Sequence, residues 1–300
     1  MIQPPSIKQG DTIGMVCPAG SIPLEKVQNC IQTLEKWGYQ VKLGKTVGTK
    51  KDNFSATDAE RALDLQAMMD DEAIKAIVCA RGGYGMSRII NELDFTKFNA
   101  HPKWVVGFSD ITVLHAALQK QNCMSIHGPM AAAFNKGEVG EKYIQSLRNT
   151  MEGMATHYQA AAHVLNQLGT VQAPIVGGNL CMLAHLIGSK NEIDAAGKIL
   201  FIEDVSEYHY IIDRLMIQCK NAGLFKQCKG IIVGGFTDMK DSSTDFGASV
   251  DEIIAAPISN LAIPICFDFP ISHGLENLAI KLGQTYTLSV QEKGVELIEA

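Results

Sequence analysis

The stretch Lys103-Trp-Val-Val-Gly-Phe-Ser-Asp-Ile-Thr-Val-Leu-His passes from an apolar strand pattern to a helical pattern within two residues, and Ser109 stands at the corner. A serine at such a corner projects its hydroxyl away from the sheet, while the first N–H groups of the helix point toward whatever that oxygen attacks. This setting would suit a nucleophilic serine. Because Ile111 fills the last position of the Gly-x-Ser-x-Gly pattern, a helix N-cap formed by Ser109 or Asp110 is the alternative.

A second passage from strand to helix, Ala80-Arg-Gly-Gly-Tyr-Gly-Met-Ser, has glycine at three of four consecutive positions. Glycines let backbone amides approach an anionic group closely. The chain contains neither Gly-x-Gly-x-x-Gly nor the glycine and lysine spacing of a P-loop, which argues against a nucleotide cofactor. We therefore interpret the amides of Gly82 or Gly83, together with that of Asp110, as an oxyanion hole.

A serine nucleophile needs a base, and His273 is the strongest candidate among the eight histidines. It follows the run Cys266-Phe-Asp-Phe-Pro-Ile-Ser just past a strand end, and Gly274 permits the sharp turn that would hold an exposed ring. His115 and His185, in contrast, lie within apolar helical patterns, where a hydrogen-bonded structural role is expected.

The base in turn needs an acid that fixes its tautomer. Glu203 comes directly after four apolar strand residues, where a carboxylate is costly unless it has a partner, and Asp204 follows one residue further out. The alternative is that Glu203 or Asp204 caps the helix that begins near Tyr208.

These candidates are carried by alternating strand and helix patterns. The strand-like runs of the first half are Thr12–Cys17, Gln40–Leu43, Ala76–Ala80 and Trp104–Gly107. Amphipathic helical patterns lie between them, and Thr57 and Glu60 have the spacing of a capping box. The alternation predicts the α/β class with a doubly wound parallel sheet, whose ligand site lies beyond the carboxyl ends of its strands.

The second half returns to strands and helices after a looser segment. Between Asn135 and Gln167 the pattern loosens into a polar, alanine-rich connection, where we expect a domain boundary. Alternating apolar residues from Tyr286 to Leu297, with a turn at Lys293-Gly294, predict a terminal antiparallel hairpin and therefore a mixed sheet. The expected division is an N-terminal domain over 1–150 with Ser109, a linker over 151–168, and a C-terminal domain over 169–300 with Glu203 and His273.

Composition narrows the class of function. The 300 residues are 46% hydrophobic and 19% charged with a net charge of −6, which argues against nucleic acid or an anionic membrane as a partner. The N-terminus lacks a signal-peptide pattern and no apolar run approaches the ~20 residues of a membrane span, so the cytoplasm is the expected location. The eight cysteines include no Cys-x-x-Cys pair, so we expect reduced, buried thiols and no metal site.

Several ordered motifs resemble those of the LD-carboxypeptidase family of serine peptidases. They are Gly10-Asp-Thr-Ile, Ala80-Arg-Gly-Gly-Tyr-Gly, Gly107-Phe-Ser-Asp-Ile-Thr, His127-Gly-Pro, Gly177-Gly-Asn-Leu, Phe201-Ile-Glu-Asp-Val and Pro270-Ile-Ser-His-Gly-x-x-Asn. The resemblance covers nearly the whole chain. One departure is Ser272, because the family more usually has a smaller residue before the histidine.

The resemblance implies Ser109 as the nucleophile, Glu203 as the orienting acid and His273 as the general base, with the amides of Gly83 and Asp110 as the oxyanion hole. It also implies an N-terminal flavodoxin-like domain, a C-terminal mixed-sheet α/β domain, no cofactor, and a homodimer.

The activity implied is hydrolysis of the amide between an L-centre and a terminal D-amino acid of murein tetrapeptides during cell-wall recycling. The alternatives are a microcin C-type immunity peptidase, which cleaves peptidyl- or aminoacyl-nucleotide amides, and a non-catalytic muropeptide-binding protein. The free substrate carboxylate is expected to meet Arg81, Gly82 or the helix start near Asn179, although bracing of the glycine run is the alternative for Arg81. Glu207 and Asp238 are the candidate partners for a substrate ammonium group, and an ordinary solvated surface position is the alternative for each.

Overall fold

Short apolar runs form the strands of two sheets, and the segments between them form helices. The computed structural model describes all 300 residues. The strands are β1 (Thr12–Val16), β2 (Gln40–Leu43), β3 (Ile74–Cys79), β4 (Trp104–Gly107), β5 (Ser125–His127), β6 (His157–Ala160), β7 (Gly169–Asn179), β8 (Ile199–Val205), β9 (Gly230–Thr237), β10 (Ile265–Phe269), β11 (Ile280–Leu282), β12 (Thr285–Gln291) and β13 (Gly294–Glu299). The helices are α1 (Gln28–Lys36), α2 (Asp58–Asp70), α3 (Met86–Ile89), α4 (Thr96–Ala100), α5 (Thr112–Lys120), α6 (Glu138–Met151), α7 (Leu180–Leu186), α8 (His209–Asn221) and α9 (Val250–Ala255).

The chain divides into two units. The first comprises Met1–Met154 and Leu278–Lys281, and the second comprises Ala155–Asn277 and Leu282–Ala300. None of the helices combines the length and the apolar character that crossing a lipid bilayer requires.

The first unit contains a six-stranded sheet in the order β11-β5-β4-β3-β1-β2. The pairs from β2 through β1, β3 and β4 to β5 are parallel, which confirms the predicted doubly wound, flavodoxin-like order. Strands β3 and β4 are buried at every position except Lys75, because helices cover both faces of a parallel sheet. The carboxyl ends of these two strands lead into the glycine run and into Ser109.

Helix α2 begins at the predicted capping box. The Thr57 hydroxyl accepts a hydrogen bond from the Glu60 N–H at 3.3 Å, and the Glu60 carboxylate accepts one from the Thr57 N–H at 3.0 Å. These reciprocal bonds satisfy backbone groups that a helix start leaves open.

The second unit contains a seven-stranded sheet in the order β10-β9-β8-β7-β12-β13-β6. Strands β7 to β10 are parallel, whereas β7, β12, β13 and β6 pair antiparallel, so the prediction of a mixed sheet is confirmed. The terminal hairpin is also confirmed, although Gln291 pairs with Gly294, so its two-residue turn is Glu292-Lys293 and Gly294 already belongs to β13.

The polar connection expected between Asn135 and Gln167 is instead largely regular structure. Helix α6 occupies Glu138–Met151 and buries Tyr143, Leu147 and Met151 on one face at four-residue spacing. Strand β6 then lies at the edge of the second sheet, where its side chains stay partly exposed and the alternating apolar signal is weak. The boundary between the units falls between Met154 and Ala155.

Candidate active site

Ser109 lies at the corner between β4 and the helical turn that leads into α5. Its φ is +65°, a left-handed conformation that costs a non-glycine residue roughly 1–2 kcal/mol. Strain of this kind is typical of functional corners, because the surrounding structure must hold the residue in place. Neither helical segment here has a side-chain N-cap, so the alternative of Ser109 or Asp110 as a helix cap is wrong.

The incomplete Gly-x-Ser-x-Gly pattern has a packing explanation. A Cβ atom at Gly107 would lie only 2.8 Å from Cγ2 of Ile111, so the isoleucine covers the glycine across the corner. The Gly107 carbonyl also accepts a hydrogen bond from Nε2 of His115 at 2.9 Å. Burial lowers the pKa of His115 to about 4, which keeps this ring neutral and structural, as its apolar helix predicted.

The glycine loop, defined as Arg81–Gly85, passes directly against the nucleophile candidate. A Cβ at Gly82 would lie 2.9 Å from Cβ and 3.2 Å from Oγ of Ser109. Gly83 is exposed with φ +90°, and no protein group accepts its backbone N–H. The loop therefore brings backbone close to the serine hydroxyl, and it carries a backbone N–H with no acceptor in the protein, which is the kind of group that an oxyanion hole uses.

Arg81 and Asp110 have different surroundings. The Arg81 side chain is exposed and makes no hydrogen bond or ion pair in the structure, so it does not brace the glycine loop. Asp110 is buried, and its Oδ2 accepts a hydrogen bond from the Met86 N–H at 2.7 Å. That bond ties the corner at Ser109 to the end of the glycine loop.

Glu203 and His273 form a hydrogen-bonded pair in the second unit. The Glu203 side chain is fully buried in β8, and its Oε2 lies 2.5 Å from Nδ1 of His273. Because a carboxylate accepts, Nδ1 carries the proton, and in neutral imidazole Nε2 is then the accepting nitrogen. This is the tautomer that a general base needs.

The loop that carries His273 is braced by the residue that departs from the family pattern. The Ser272 hydroxyl accepts a hydrogen bond from the Gly274 N–H at 3.0 Å and donates one to the Glu276 carbonyl at 2.8 Å. An isolated bridge between Ile271 and Asn277 closes the same loop. The serine therefore holds the backbone on the carboxyl side of the histidine.

Two glycines that the sequence analysis missed bring this loop against the sheet. A Cβ at Gly234 would lie 2.2 Å from the Ile271 carbonyl oxygen and 3.3 Å from Cβ of Glu203. The Gly235 N–H donates to the same Ile271 carbonyl at 3.0 Å. The signal was a Gly-Gly pair within β9, which is unusual in a buried strand and marks a close approach of backbone.

Asp204 has a role distinct from that of its neighbour. It accepts hydrogen bonds from Asn179 Nδ2 at 2.8 Å, from Cys181 N at 2.9 Å and from Val205 N at 2.8 Å. It thus supports the start of α7, and Tyr208, at the start of α8, has no side-chain cap, so the capping alternative for Glu203 and Asp204 is wrong. Burial first, and the Glu203 carboxylate second, raise the pKa of Asp204 to about 7.

Asn179 and Glu207 are predicted substrate-binding residues that lie in the second unit. Asn179 is buried, and its Oδ1 accepts from the Met182 N–H at 3.1 Å while its Nδ2 serves Asp204, so both polar atoms are engaged within the protein. Glu207 is half-buried, and its carboxylate has no hydrogen bond or ion pair in the structure. Substrate binding by Asn179 or Glu207 stays a prediction.

Known proteins match this chain over most of its length. Residues 13–128 match the LD-carboxypeptidase N-terminal domain, and residues 172–288 match the LD-carboxypeptidase C-terminal domain. The probable murein peptide carboxypeptidase of Bacillus subtilis (strain 168) is 33% identical over 99% of this chain and 94% of its own length. The murein tetrapeptide carboxypeptidase of Pseudomonas aeruginosa is 28% identical over 92% of each chain.

Solved structures agree with these sequence matches. The muramoyltetrapeptide carboxypeptidase from Oxalobacter formigenes superimposes with a TM-score of 0.88 at 29% identity, covering 96% of this chain and 99% of that one. The microcin C7 self immunity protein MccF, in complex with aspartyl sulfamoyl adenosine, has a TM-score of 0.89 at 21% identity over 100% and 99% of the two chains, which shows a shared fold. The chain belongs to the LD-carboxypeptidase family of serine-type carboxypeptidases.

Proposed function

We propose that this carboxypeptidase hydrolyses the amide bond between an L-centre and a terminal D-amino acid of murein tetrapeptides, with Ser109, His273 and Glu203 acting as one triad. The observation that carries the proposal is the strained Ser109 held against the glycine loop. The buried Glu203–His273 pair supports it, because it presents a histidine in the tautomer that accepts a proton at Nε2.

The proposed reaction proceeds through an acyl-enzyme. Nε2 of His273 takes the hydroxyl proton as Ser109 Oγ attacks the scissile carbonyl carbon, and Glu203 stabilises the imidazolium that forms. The N–H groups of Gly83 and Asp110 hold the oxyanion. The imidazolium then protonates the departing amine of the D-amino acid, and water repeats the same steps on the Ser109 ester.

Substrate selection would use two charged side chains, Arg81 and Glu207, that make no hydrogen bond or ion pair within the protein. The exposed Arg81, next to Gly82, can bind the free terminal carboxylate with its planar guanidinium. Glu207, four residues beyond Glu203, can bind the ammonium group of a diamino acid side chain. Together these two groups would favour a substrate that carries both charges.

We place the reaction in the cytoplasm, in the recycling of cell-wall peptides. All eight cysteines are free thiols and seven of them are buried, which suits a reducing compartment. The named activities of the murein-directed relatives support a muropeptide substrate.

Ser109→Ala tests the triad. The variant should fold like the wild type and release no D-alanine from a murein tetrapeptide above about 10⁻³ of the wild-type rate. Release should be followed by mass spectrometry against a panel that also contains aminoacyl-nucleotide amides.

The panel separates the alternatives. Cleavage of the nucleotide amides alone would replace the proposed substrate with that of an immunity peptidase. Tight binding of muropeptides without turnover would favour a binding protein, and undiminished D-alanine release by Ser109→Ala would refute the triad.

A further inference from the structure

Arg61 is a fully buried arginine that none of the assignments above uses. It lies in α2 with no exposed side-chain surface. A buried guanidinium is costly unless its N–H groups find acceptors. Nη1 donates to the carbonyls of Pro18 at 2.5 Å and Gly85 at 2.9 Å, and Nη2 pairs with Asp58 at 2.5 Å.

The two carbonyls belong to two different loops. Pro18 follows β1, and Gly85 is the last residue of the glycine loop after β3. One guanidinium therefore joins the ends of two adjacent parallel strands. Gly85 has φ +136°, and a Cβ there would lie 2.7 Å from Nη1 of Arg61, so only glycine leaves room for this contact.

Two further hydrogen bonds hold the same loop. The Gly20 N–H donates to the Gly82 carbonyl at 2.8 Å, and the Met86 N–H donates to Asp110 at 2.7 Å. The glycine loop is thus fixed near its start by Gly20, at its end by Arg61, and just beyond its end by the residue that follows Ser109. Every one of these ties restricts where the Gly82 and Gly83 amides can lie.

An outer layer keeps Arg61 in place. Asp58 also pairs with Arg88 at 2.7 Å, and the hydrogen bond from Arg88 lowers the pKa of Asp58, which keeps it ionised. The Phe54 ring lies 4.9 Å from the Arg61 guanidinium carbon, and the Tyr84 ring of the glycine loop lies 5.7 Å from Phe54. The loop and the arginine are therefore packed as one cluster.

We infer that Arg61 is a positioning residue for the reaction: it holds the glycine loop so that its amides face the oxyanion formed at Ser109. The inference rests on the proposed function, because it assumes that Ser109 is the nucleophile. Electrostatic stabilisation of an oxyanion depends on donors that are already in place when charge develops. The planar guanidinium of Arg61 donates to two carbonyls and a carboxylate at once. A lysine ammonium keeps the charge but cannot reproduce this arrangement of hydrogen bonds.

The test compares Arg61→Gln and Arg61→Lys with Lys103→Met in the full chain. Lys103 is a matched control because it is also buried and also donates to backbone carbonyls. Its acceptors are Met68, in the last turn of α2, and Asp71, directly after that helix. Its loss should lower the melting temperature without touching the glycine loop. For each variant we would measure kcat, KM, the melting temperature, and binding of two substrate analogues.

The two analogues separate positioning from general damage. A peptide aldehyde adds to Ser109 and places an oxyanion in the hole, whereas a non-cleavable amide isostere mimics only the bound substrate. We expect Arg61→Gln to lower kcat and aldehyde affinity by about 10²-fold, with isostere affinity and KM changed less than about threefold. Arg61→Lys should keep the charge and lose about 10-fold, and it remains informative if Arg61→Gln does not fold.

The outcomes are distinct. Equal losses of aldehyde and isostere affinity, or an unchanged kcat at a melting temperature lowered as in Lys103→Met, would overturn the role of Arg61. Aldehyde binding that survives Ser109→Ala would instead refute the proposed function. Aldehyde binding that needs Ser109 but is indifferent to both Arg61 variants would leave the triad intact and eliminate the positioning role alone.

Discussion

At the scale of single residues, two consecutive carboxyl groups, those of Glu203 and Asp204, have different partners and different roles. Glu203 and Asp204 are consecutive in β8, so their side chains leave opposite faces of the strand. One orients His273, and the other accepts three hydrogen bonds around the start of α7. Burial raises the pKa of Asp204, so its protonation should be measurable in the pH dependence of the unfolding free energy.

Asp204→Asn should change how stability depends on pH. Because the pKa of Asp204 is raised to about 7, the folded protein holds a proton that the unfolded chain has released, and unfolding free energy falls as pH rises from about 4 to 7. The slope from one such group is at most about 1.4 kcal/mol per pH unit. The variant should lack this slope.

Urea unfolding at several pH values between 4 and 8 measures the effect. The difference between the variant and the wild type cancels contributions of other groups, including the neutral His115, whose lowered pKa adds stability as pH rises from about 4. The exposed Asp52→Asn serves as the control. Parallel curves for wild type and Asp204→Asn would contradict the raised pKa.

Backbone strain at Ser109 predicts an unusual order of stability. In the left-handed region glycine avoids a penalty of roughly 1–2 kcal/mol, against about 0.5–1 kcal/mol of extra chain entropy lost on folding. Ser109→Gly should therefore be more stable than Ser109→Ala by about 1 kcal/mol. Denaturant unfolding gives the comparison, and the same pair at the exposed helical position Gln145 should show the reverse order. The same order at both positions would argue against strain.

At the scale of elements, the carboxyl ends of parallel strands position the candidate site residues. Strand β4 delivers Ser109, β3 delivers the glycine loop, and β8 delivers Glu203. Strand β9 contributes no side chain to the proposed triad. Its Gly234-Gly235 pair instead opens the space that lets the His273 loop approach Glu203.

Gly234→Ala should therefore reduce activity by more than its stability cost suggests. The added Cβ would meet the Ile271 carbonyl oxygen at 2.2 Å, which has to move and takes the His273 loop with it. A displacement of about 1 Å costs on the order of 10²-fold in kcat. Steady-state kinetics beside thermal unfolding measures both effects.

Gly14→Ala is the matched control for that substitution. Gly14 lies in the buried strand β1, and a Cβ there would lie 2.8 Å from Sδ of Met68 in α2. The substitution therefore crowds a buried strand without touching the loop that carries His273. Because the end of this side chain can shift on its own, whereas the backbone carbonyl that meets Gly234 cannot, we expect a smaller loss of stability than for Gly234→Ala and nearly unchanged kcat. A Gly234→Ala enzyme with wild-type kcat would show that the loop tolerates the shift.

At the scale of the whole molecule, the first unit is not continuous in sequence. Leu278–Lys281 joins it from a point far along the chain, and β11 extends its sheet beside β5. All four of these residues are buried, and the Ala279 N–H donates to Ser146 Oγ at 3.0 Å. The first unit therefore completes its sheet with a segment that lies far beyond its other strands in the sequence.

A fragment of residues 1–154 should be less stable than the same fragment fused through a flexible linker to residues 278–282. Each buried leucine or isoleucine side chain contributes about 2 kcal/mol, and the added strand also covers the open edge at β5. Hydrogen exchange at Ser125–His127 and thermal unfolding measure the gain. A fusion that carries a scrambled segment is the control, and equal exchange in both fusions would contradict a role for β11.

The amino-acid sequence by itself determined the features that depend on neighbouring residues. The corner at Ser109, the capping box at Thr57 and the terminal hairpin each arise from a few consecutive positions, so their patterns predict them. Alternation of strand and helix likewise determined the parallel order of the first sheet, because βαβ connections leave few topologies.

Only the tertiary structure decided which distant residues meet. The contact of Gly82 with Ser109, the approach allowed by Gly234, the carbonyls that Arg61 joins, and the tie between Asp204 and α7 all bring together segments far apart in the chain. A local pattern such as the Gly234-Gly235 pair can mark a close approach, but it does not specify the geometry of the contact, which depends on how strands stack and where loops end. The residue types indicate which chemistry is available. The relative positions of these residues are set by packing, because a hydrogen bond or a missing Cβ matters only where two backbone segments lie in contact.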